Sequence, residues 1–160
     1  MEHLEIERKF LIGMPAQERL SALPFSEIEQ VYLLTADKKR ERLRRREYQD
    51  RCAYTHTAKE RISDVTRIER EREITQEEYQ ALLRFADPDR RVLHKRRYLY
   101  EYRAQCFEID VFPFWEDRAL MELELESEDQ PIFFPPDIAF LREVTADKRY
   151  TNAAIAREIP

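Results

Sequence analysis

The sequence predicts a mainly β (α+β) fold, an eight-stranded antiparallel β-barrel tunnel with a few flanking helices. Three observations lead there. Alternation of apolar and polar residues with period two recurs along the chain, the mark of strands. About eight such runs fit within 160 residues, the signature of a meandering sheet or barrel. The polar faces of those runs are almost wholly charged, which an ordinary solvated sheet does not require.

The runs come in order. Leu4 to Leu11 is the first, followed by Val31 to Thr35, Arg40 to Tyr48, Cys52 to Lys59 and Thr66 to Ile74. Val92 to Arg103, Phe107 to Phe112 and Leu120 to Glu126 complete the set. Helices are expected to be few and short. Pro15 to Leu23 opens with Pro at a position suited to the first helical residue. Thr75-Gln76-Glu77-Glu78 is a capping box, after which Tyr79, Leu82 and Leu83 share one face. Pro88 closes that helix. Pro136 to Leu141 and Thr151 to Ala156 are expected as two further short helices, the first just after a proline-marked loop.

Composition excludes several classes. The chain is 42% hydrophobic, enough for a core, and 11% aromatic, which argues against disorder. With 28 basic and 33 acidic residues the net charge is −5, so the chain is not a polycation that coats nucleic acid or membrane. One Gly excludes the glycine-rich phosphate loops of Walker and Rossmann type. Its 160 residues predict a single domain over 1–160. Cys52 and Cys106 give no metal spacing and no disulfide framework and read as buried thiols. No apolar run approaches a membrane span, and Met1-Glu2-His3-Leu4-Glu5 is no export signal, so a cytoplasmic protein is expected.

The charged faces carry the functional reading. Glu5, Glu7 and Lys9 share one face, and so do Arg42, Arg44 and Arg46. Arg67, Glu69, Glu71 and Glu73 form another; Lys95 with Arg97, Glu108 with Asp110, and Glu122, Glu124 and Glu126 follow. Taken singly, each is a solvated strand face. Together, acidic on some strands and basic on others, they fit a barrel with the charged faces inside and the apolar faces outside. Such an interior is wet or ligand-filled, because burying unpaired charge costs several kcal/mol per ion. Carboxylates want a hard cation such as Mg²⁺ or Mn²⁺. The cations are 22 Arg to 6 Lys, and guanidinium grips phosphate oxygens bidentately. A metal-bound polyphosphate satisfies both walls. Four strand steps from Glu5 to Lys9 span roughly 13 Å, enough to lie beside several phosphoryl groups.

Glu5-Ile6-Glu7-Arg8-Lys9 resembles the E-x-E-x-K signature of the CYTH family, the triphosphate tunnel metalloenzymes. Further segments follow the same family pattern in order: Gln30 to Leu33, Arg42-Leu43-Arg44, Thr57-Ala58-Lys59, Arg67 to Ile74 and Lys95 to Tyr98. Glu108 to Phe112, Glu122-Leu123-Glu124 and Arg142 to Asn152 extend the resemblance over nearly the whole chain. It implies an eight-stranded tunnel that hydrolyses a small-molecule triphosphate with Mg²⁺ or Mn²⁺, or in some members cyclises one. It implies Lys9, Arg42, Arg44, Lys59, Lys95 and Arg97 as phosphate ligands. It implies Glu5, Glu7, Glu69, Glu71, Asp110, Glu122 and Glu124 as metal ligands, with Glu5, Glu7 and Lys9 central to catalysis. Two departures stand out. Ala119-Leu120 replaces a Gly-Leu, leaving the last acidic strand open between Glu122/Glu124 and Glu124/Glu126, and the basic tract Lys38 to Arg46 is heavier than the motif needs.

Other residues take plainer readings. Arg40, Arg45 and Arg46 are expected on the surface, and Glu108 is expected to bridge a tunnel arginine. Lys148 or Arg149 is a candidate for the tunnel mouth. His3, His56 and His94 lack a carboxylate or Cys at ligand spacing and read as solvated or core residues. Trp115 with Phe112 and Phe114 reads as packing at a strand end. No nucleic-acid or membrane partner is expected, and a homodimer is compatible with the sequence. An adenylyl cyclase of the same family, or a non-catalytic binder of polyphosphate or an RNA 5′ end, are the alternatives to a triphosphatase.

Overall fold

A computed structural model describes residues 2–35 and 40–160 of the chain; Lys38, at the head of the basic tract, lies outside them. In order, the described elements are β1 (Glu2–Gly13), α1 (Gln17–Ser21), β2 (Phe25–Tyr32), β3 (Arg40–Tyr48), β4 (Arg51–Arg61) and β5 (Thr66–Ile74). Then come α2 (Gln76–Leu82), β6 (Leu93–Tyr102), β7 (Gln105–Val111), β8 (Arg118–Glu124), β9 (Phe140–Glu143) and α3 (Asn152–Arg157).

The sheet runs β5-β4-β3-β2-β6-β7-β8-β1, and β5 pairs back onto β1, closing an eight-stranded antiparallel barrel. Closure depends on the length of β1. Its first half pairs with β5 (Glu5 opposite Arg67), and its second half pairs with β8 (Glu7 opposite Glu124, Lys9 opposite Glu122). Where β5 lets go, β9 takes the same edge of β1, with Phe10 opposite Glu143. Between those two ladders the Glu7 amide donates to the Val65 carbonyl and the Lys9 amide to Thr145 Oγ1.

Strand parity then sorts the side chains. Odd-numbered Glu5, Glu7 and Lys9 face inward, while Phe10 and Ile12 join Leu20, Tyr98, Tyr100, Phe107, Ile109 and Met121 in an outer apolar layer. That layer lies under α1 and the loop bearing Ile138. Val31, Leu43 and Ile74 pack under Tyr79 of α2 on another side. At one end the inward parity turns apolar: Lys9 gives way to Leu11, Glu122 to Leu120 and Lys95 to Leu93. On those residues sit Val144, Tyr150, Ala153 and Ile155, so α3 is seated at that end of the barrel. Arg8, which interrupts the apolar run Leu4, Ile6, Phe10 and Ile12 on the outer face of β1, pairs with Glu143 and lies over the Phe10 ring.

Several expectations are corrected. The second strand is Phe25–Tyr32 rather than Val31 to Thr35, because its inward face, Ser26, Ile28, Gln30 and Tyr32, mixes apolar with uncharged polar residues and hides the alternation. Pro136 to Leu141 is no helix; a turn there leads into β9. Helix α1 starts at Gln17 with Ala16 as its cap, two residues after Pro15. Thr75 forms the expected capping box, accepting from the Glu78 amide while Glu78 accepts from the Thr75 amide. Cys52 and Cys106 are exposed, one at the start of β4 and the other near the start of β7. The histidines do meet carboxylates: His3 lies 3.7 Å from Glu69, His56 3.4 Å from Glu41 and His94 4.0 Å from Glu29. The Phe112, Phe114 and Trp115 rings stack at a strand end, as expected. No helix among the described residues is long and apolar enough to cross a membrane.

Candidate active site

The barrel encloses a cavity of about 410 Å³. Its acidic wall is Glu5 and Glu7 of β1, Glu69 and Glu71 of β5, and Glu122 and Glu124 of β8. Glu108 joins that wall, whereas Glu126 lies beyond the end of β8 and outside the cavity. The basic wall is β3, whose even-numbered Arg40, Arg42, Arg44 and Arg46 all line the cavity. Lys9, Lys59, Arg61, Arg67 and Arg97 add further positive charge, and Lys148 with Thr151 and Asn152 lines the end under α3.

The two walls are wired differently. On the acidic side most of the carboxylates have a partner among the described residues, Glu7 and Glu124 being the exceptions. Lys59 Nζ lies 2.8 Å from Glu5 and 3.3 Å from Glu69, and Lys9 Nζ lies 3.2 Å from Glu122 while donating to the Tyr150 carbonyl. Thr57 donates to Glu71. Arg97 ties the wall together, donating to Asp110 through Nε at 2.8 Å and Nη2 at 2.9 Å, to Glu108 at 2.9 Å and to Glu122 at 3.4 Å. On the basic side almost nothing neutralises the charge. Arg42 has no ion pair among the described residues, and the buried Nε atoms of Arg42 and Arg44 have no hydrogen-bond partner. Burial, with repulsion from Arg42 and Arg97, pulls the Arg44 pKa down to about 9. Surface arginines do not carry that penalty, so the array is built for an anion.

Proton affinities on the acidic wall diverge. Burial raises Glu7 to about 8, and the nearby Glu122 adds to this against Lys59 and Lys9. Burial also acts on Glu122, but Lys9, Arg97 and Lys95 outweigh it and hold that carboxyl well below the usual range. One carboxyl is therefore poised near neutrality beside one held ionised. A raised carboxyl opposes folding once pH exceeds the unfolded value of 4.5, and the penalty is full above about 8. Glu7→Gln is accordingly expected to raise the melting temperature of metal-free protein at pH 8 and to leave it unchanged at pH 4, as thermal scans at the two pH values check.

Two expected ligands are placed elsewhere. Lys95 and Asp110 do not line the cavity; both side chains are fully buried behind the wall, 2.7 Å apart. Both Asp110 oxygens are engaged by Arg97 and Lys95, so in this arrangement the carboxylate organises the wall. Glu108 bridges Arg97 as expected, yet it also reaches the cavity. Arg46 is half-buried and lines the cavity, Arg40 is exposed as expected yet also lines it, and Arg45 pairs with Glu47 outside it. Of the final pair, Lys148 reaches the cavity and Arg149 pairs with Asp147. Arg61 went unremarked, although strand parity places it beside Lys59, and Arg67 was read on the charged face of Glu69 without a role of its own; Tyr32 also lines the cavity.

Comparison with known proteins places this geometry. An inorganic triphosphatase of Nitrosomonas europaea is 38% identical over 159 residues, covering 98% of this chain and 99% of that protein. An inorganic triphosphatase of Acetivibrio thermocellus is 28% identical over 153 residues, covering 96% of this chain and 93% of that protein. A crystal structure of an inorganic triphosphatase superposes with a TM-score of 0.62 at 34% identity, over 98% of this chain and 96% of that one. The CYTH domain model matches residues 3–143, and with a closed barrel whose facing walls are acidic and basic, the chain belongs to the CYTH domain family.

Proposed function

We propose that the tunnel binds a short polyphosphate chain, inorganic tripolyphosphate foremost, and hydrolyses its terminal phosphoanhydride bond. One observation carries the proposal: an unneutralised row of arginines on β3 faces a glutamate-lined wall across a single cavity. A binder of anions alone gains nothing from so many carboxylates beside its ligand. The same function is attached to relatives that align along nearly the whole chain.

The donor set fits a hard cation. Every acidic group on the cavity is a carboxylate, and no three His, Cys, Asp or Glu of the described residues converge on one point. That suits Mg²⁺ or Mn²⁺ held by one or two carboxylates and completed by phosphate oxygens. Glu5, Glu7, Glu69, Glu71, Glu122 and Glu124 are the groups that would hold it. A bound cation would neutralise phosphoryl charge and polarise the bond being cleaved. The protein's own part is positioning. Arg42, Arg44 and Lys59 hold the phosphoryl oxygens, and Lys9 reaches the same space from β1. Arg97 and Asp110 keep Glu122 and Glu108 in place.

Phosphate release from tripolyphosphate, ATP, GTP and thiamine triphosphate, each with Mg²⁺, Mn²⁺ or EDTA, tests the proposal. Tripolyphosphate is expected to be cleaved at least as well as ATP, with no turnover in EDTA. The cavity presents one aromatic ring, Tyr32, among its lining residues, which is too little to discriminate a base. A preference of roughly tenfold or more for one nucleotide, or cyclic nucleotide as product, would move the assignment to the cyclase reading.

A further inference from the structure

We propose that the Tyr32 hydroxyl is a directed hydrogen-bond donor to the phosphoryl oxygens of the bound chain, with Gln30 and Arg44 fixing its direction. The inference rests on the polyphosphate reading above and adds a neutral ligand to a wall otherwise made of charges.

The direction follows from what each group is able to donate. Arg44 Nη2 lies 3.0 Å from Gln30 Oε1, and guanidinium has no acceptor. The Gln30 carboxamide therefore turns its oxygen to Arg44 and its NH₂ the other way. That NH₂ meets Tyr32 Oη at 3.2 Å, so the phenol oxygen accepts. Gln30 is fully buried, and turning its amide over would set an NH₂ against the Arg44 guanidinium, donor against donor. A phenol has one proton, and among the described residues nothing accepts it. The Tyr32 ring is wedged with Leu93, Leu11 and Leu120 at the α3 end of the barrel, while the residue lines the cavity next to Arg42, its partner across β3. A buried donor without an acceptor is costly. An oxyanion beside Arg42 and Arg44 supplies one.

The isosteric change Gln30→Glu reverses the relay. A carboxylate accepts from both Arg44 and Tyr32, so the phenol proton turns away from the cavity and a lone pair faces the substrate. Tyr32→Phe removes the proton and keeps the ring in its packing. Tripolyphosphate binding by calorimetry without divalent metal, and kcat/KM with Mg²⁺, are to be measured for wild type, both single variants and the double variant, with thermal melts to verify folding. Tyr32→Phe is expected to weaken binding and to lower kcat/KM by about 10- to 100-fold, the range for a hydrogen bond to a charged acceptor. Gln30→Glu is expected to cost at least as much, and clearly less in the Tyr32→Phe background, where only its added charge remains. If wild type binds and cleaves tripolyphosphate while Tyr32→Phe matches it in both assays, the directed donor is refuted and the polyphosphate reading stands. Additive losses in the double variant refute the relay through Gln30. If wild type neither binds nor cleaves tripolyphosphate, the polyphosphate reading falls and takes this inference with it.

Discussion

Replacing Arg42 with alanine is expected to lower kcat/KM for tripolyphosphate by about 10³-fold, the scale of removing one preorganised charge stabiliser from an enclosed site. It is expected to leave the melting temperature unchanged or higher. The two halves of that result have one cause. Arg42 is buried, its Nε has no partner, and it stands beside Arg44, whose own proton affinity is depressed by burial and by its cationic neighbours. Without substrate the row repels itself, so truncation relieves the folded state; with substrate the same row grips the anion. Arg44→Lys is expected to be harmful too, because a point charge loses the fork that meets phosphate bidentately and also the hold on Gln30. Steady-state kinetics and a thermal melt on the same preparations check both halves. A large loss of melting temperature in Arg42→Ala would mean that the arginine row serves the barrel rather than a ligand.

Asp110→Ala is expected to have the largest effect on stability. Asp110 is fully buried between Arg97 and Lys95, and Lys95 is also within 3.4 Å of Asn152 on α3. Removing the carboxylate strands the buried Lys95 and leaves Arg97 only Glu108 and Glu122, a loss of about 3–5 kcal/mol. At 2–4 °C per kcal/mol for a chain of this size, the melting temperature should fall by about 10 °C or more. The pH dependence carries the same signature. Burial alone would raise the Asp110 pKa, but Arg97 and Lys95 outweigh it and bring it down to about 2, against 3.8 for the free group. A depressed carboxyl contributes stability that is fully present above the unfolded value and lost as pH falls through the folded one. Wild type should therefore weaken between about pH 4 and pH 2 more steeply than Asp110→Ala, as chemical denaturation at several pH values would record.

Most of the barrel was legible in the sequence because period-two alternation and sheet parity are one and the same geometry. Glu5, Glu7 and Lys9 face inward because that period admits nothing else once Phe10 is buried. The reading failed where parity carried no contrast. In β2 the inward positions Ser26, Ile28 and Gln30 are uncharged and mixed and the outward ones include Glu27 and Glu29, so neither face stood out. β9 has four exposed residues and exists because β1 offers a vacant edge, a tertiary fact with no local trace. That Lys95 and Asp110 lie behind the cavity wall was hidden for a related reason. Parity gives the direction of a side chain but not its depth, and α3 covers the end where those two lie. Arg40 and Arg46 were underdrawn although they share the parity of Arg42 and Arg44. The apolar turn of the inward face at Leu11, Leu93 and Leu120 was the overlooked sign that something seats there.

The divided edge of β1 has a mechanical consequence. A barrel braced by continuous ladders is stiff everywhere, but here one side of β1 changes hands between β5 and β9 at the residues that carry Glu7 and Lys9. Over that span β8 is the one paired strand, and on the other side β1 is steadied by the Val65 carbonyl, the Thr145 hydroxyl and the Val144 amide, which donates to the Lys9 carbonyl. Compliance is thus concentrated where the acidic wall must adjust to a substrate whose bond lengthens and breaks, and the rest of the cylinder keeps its shape while that short segment gives.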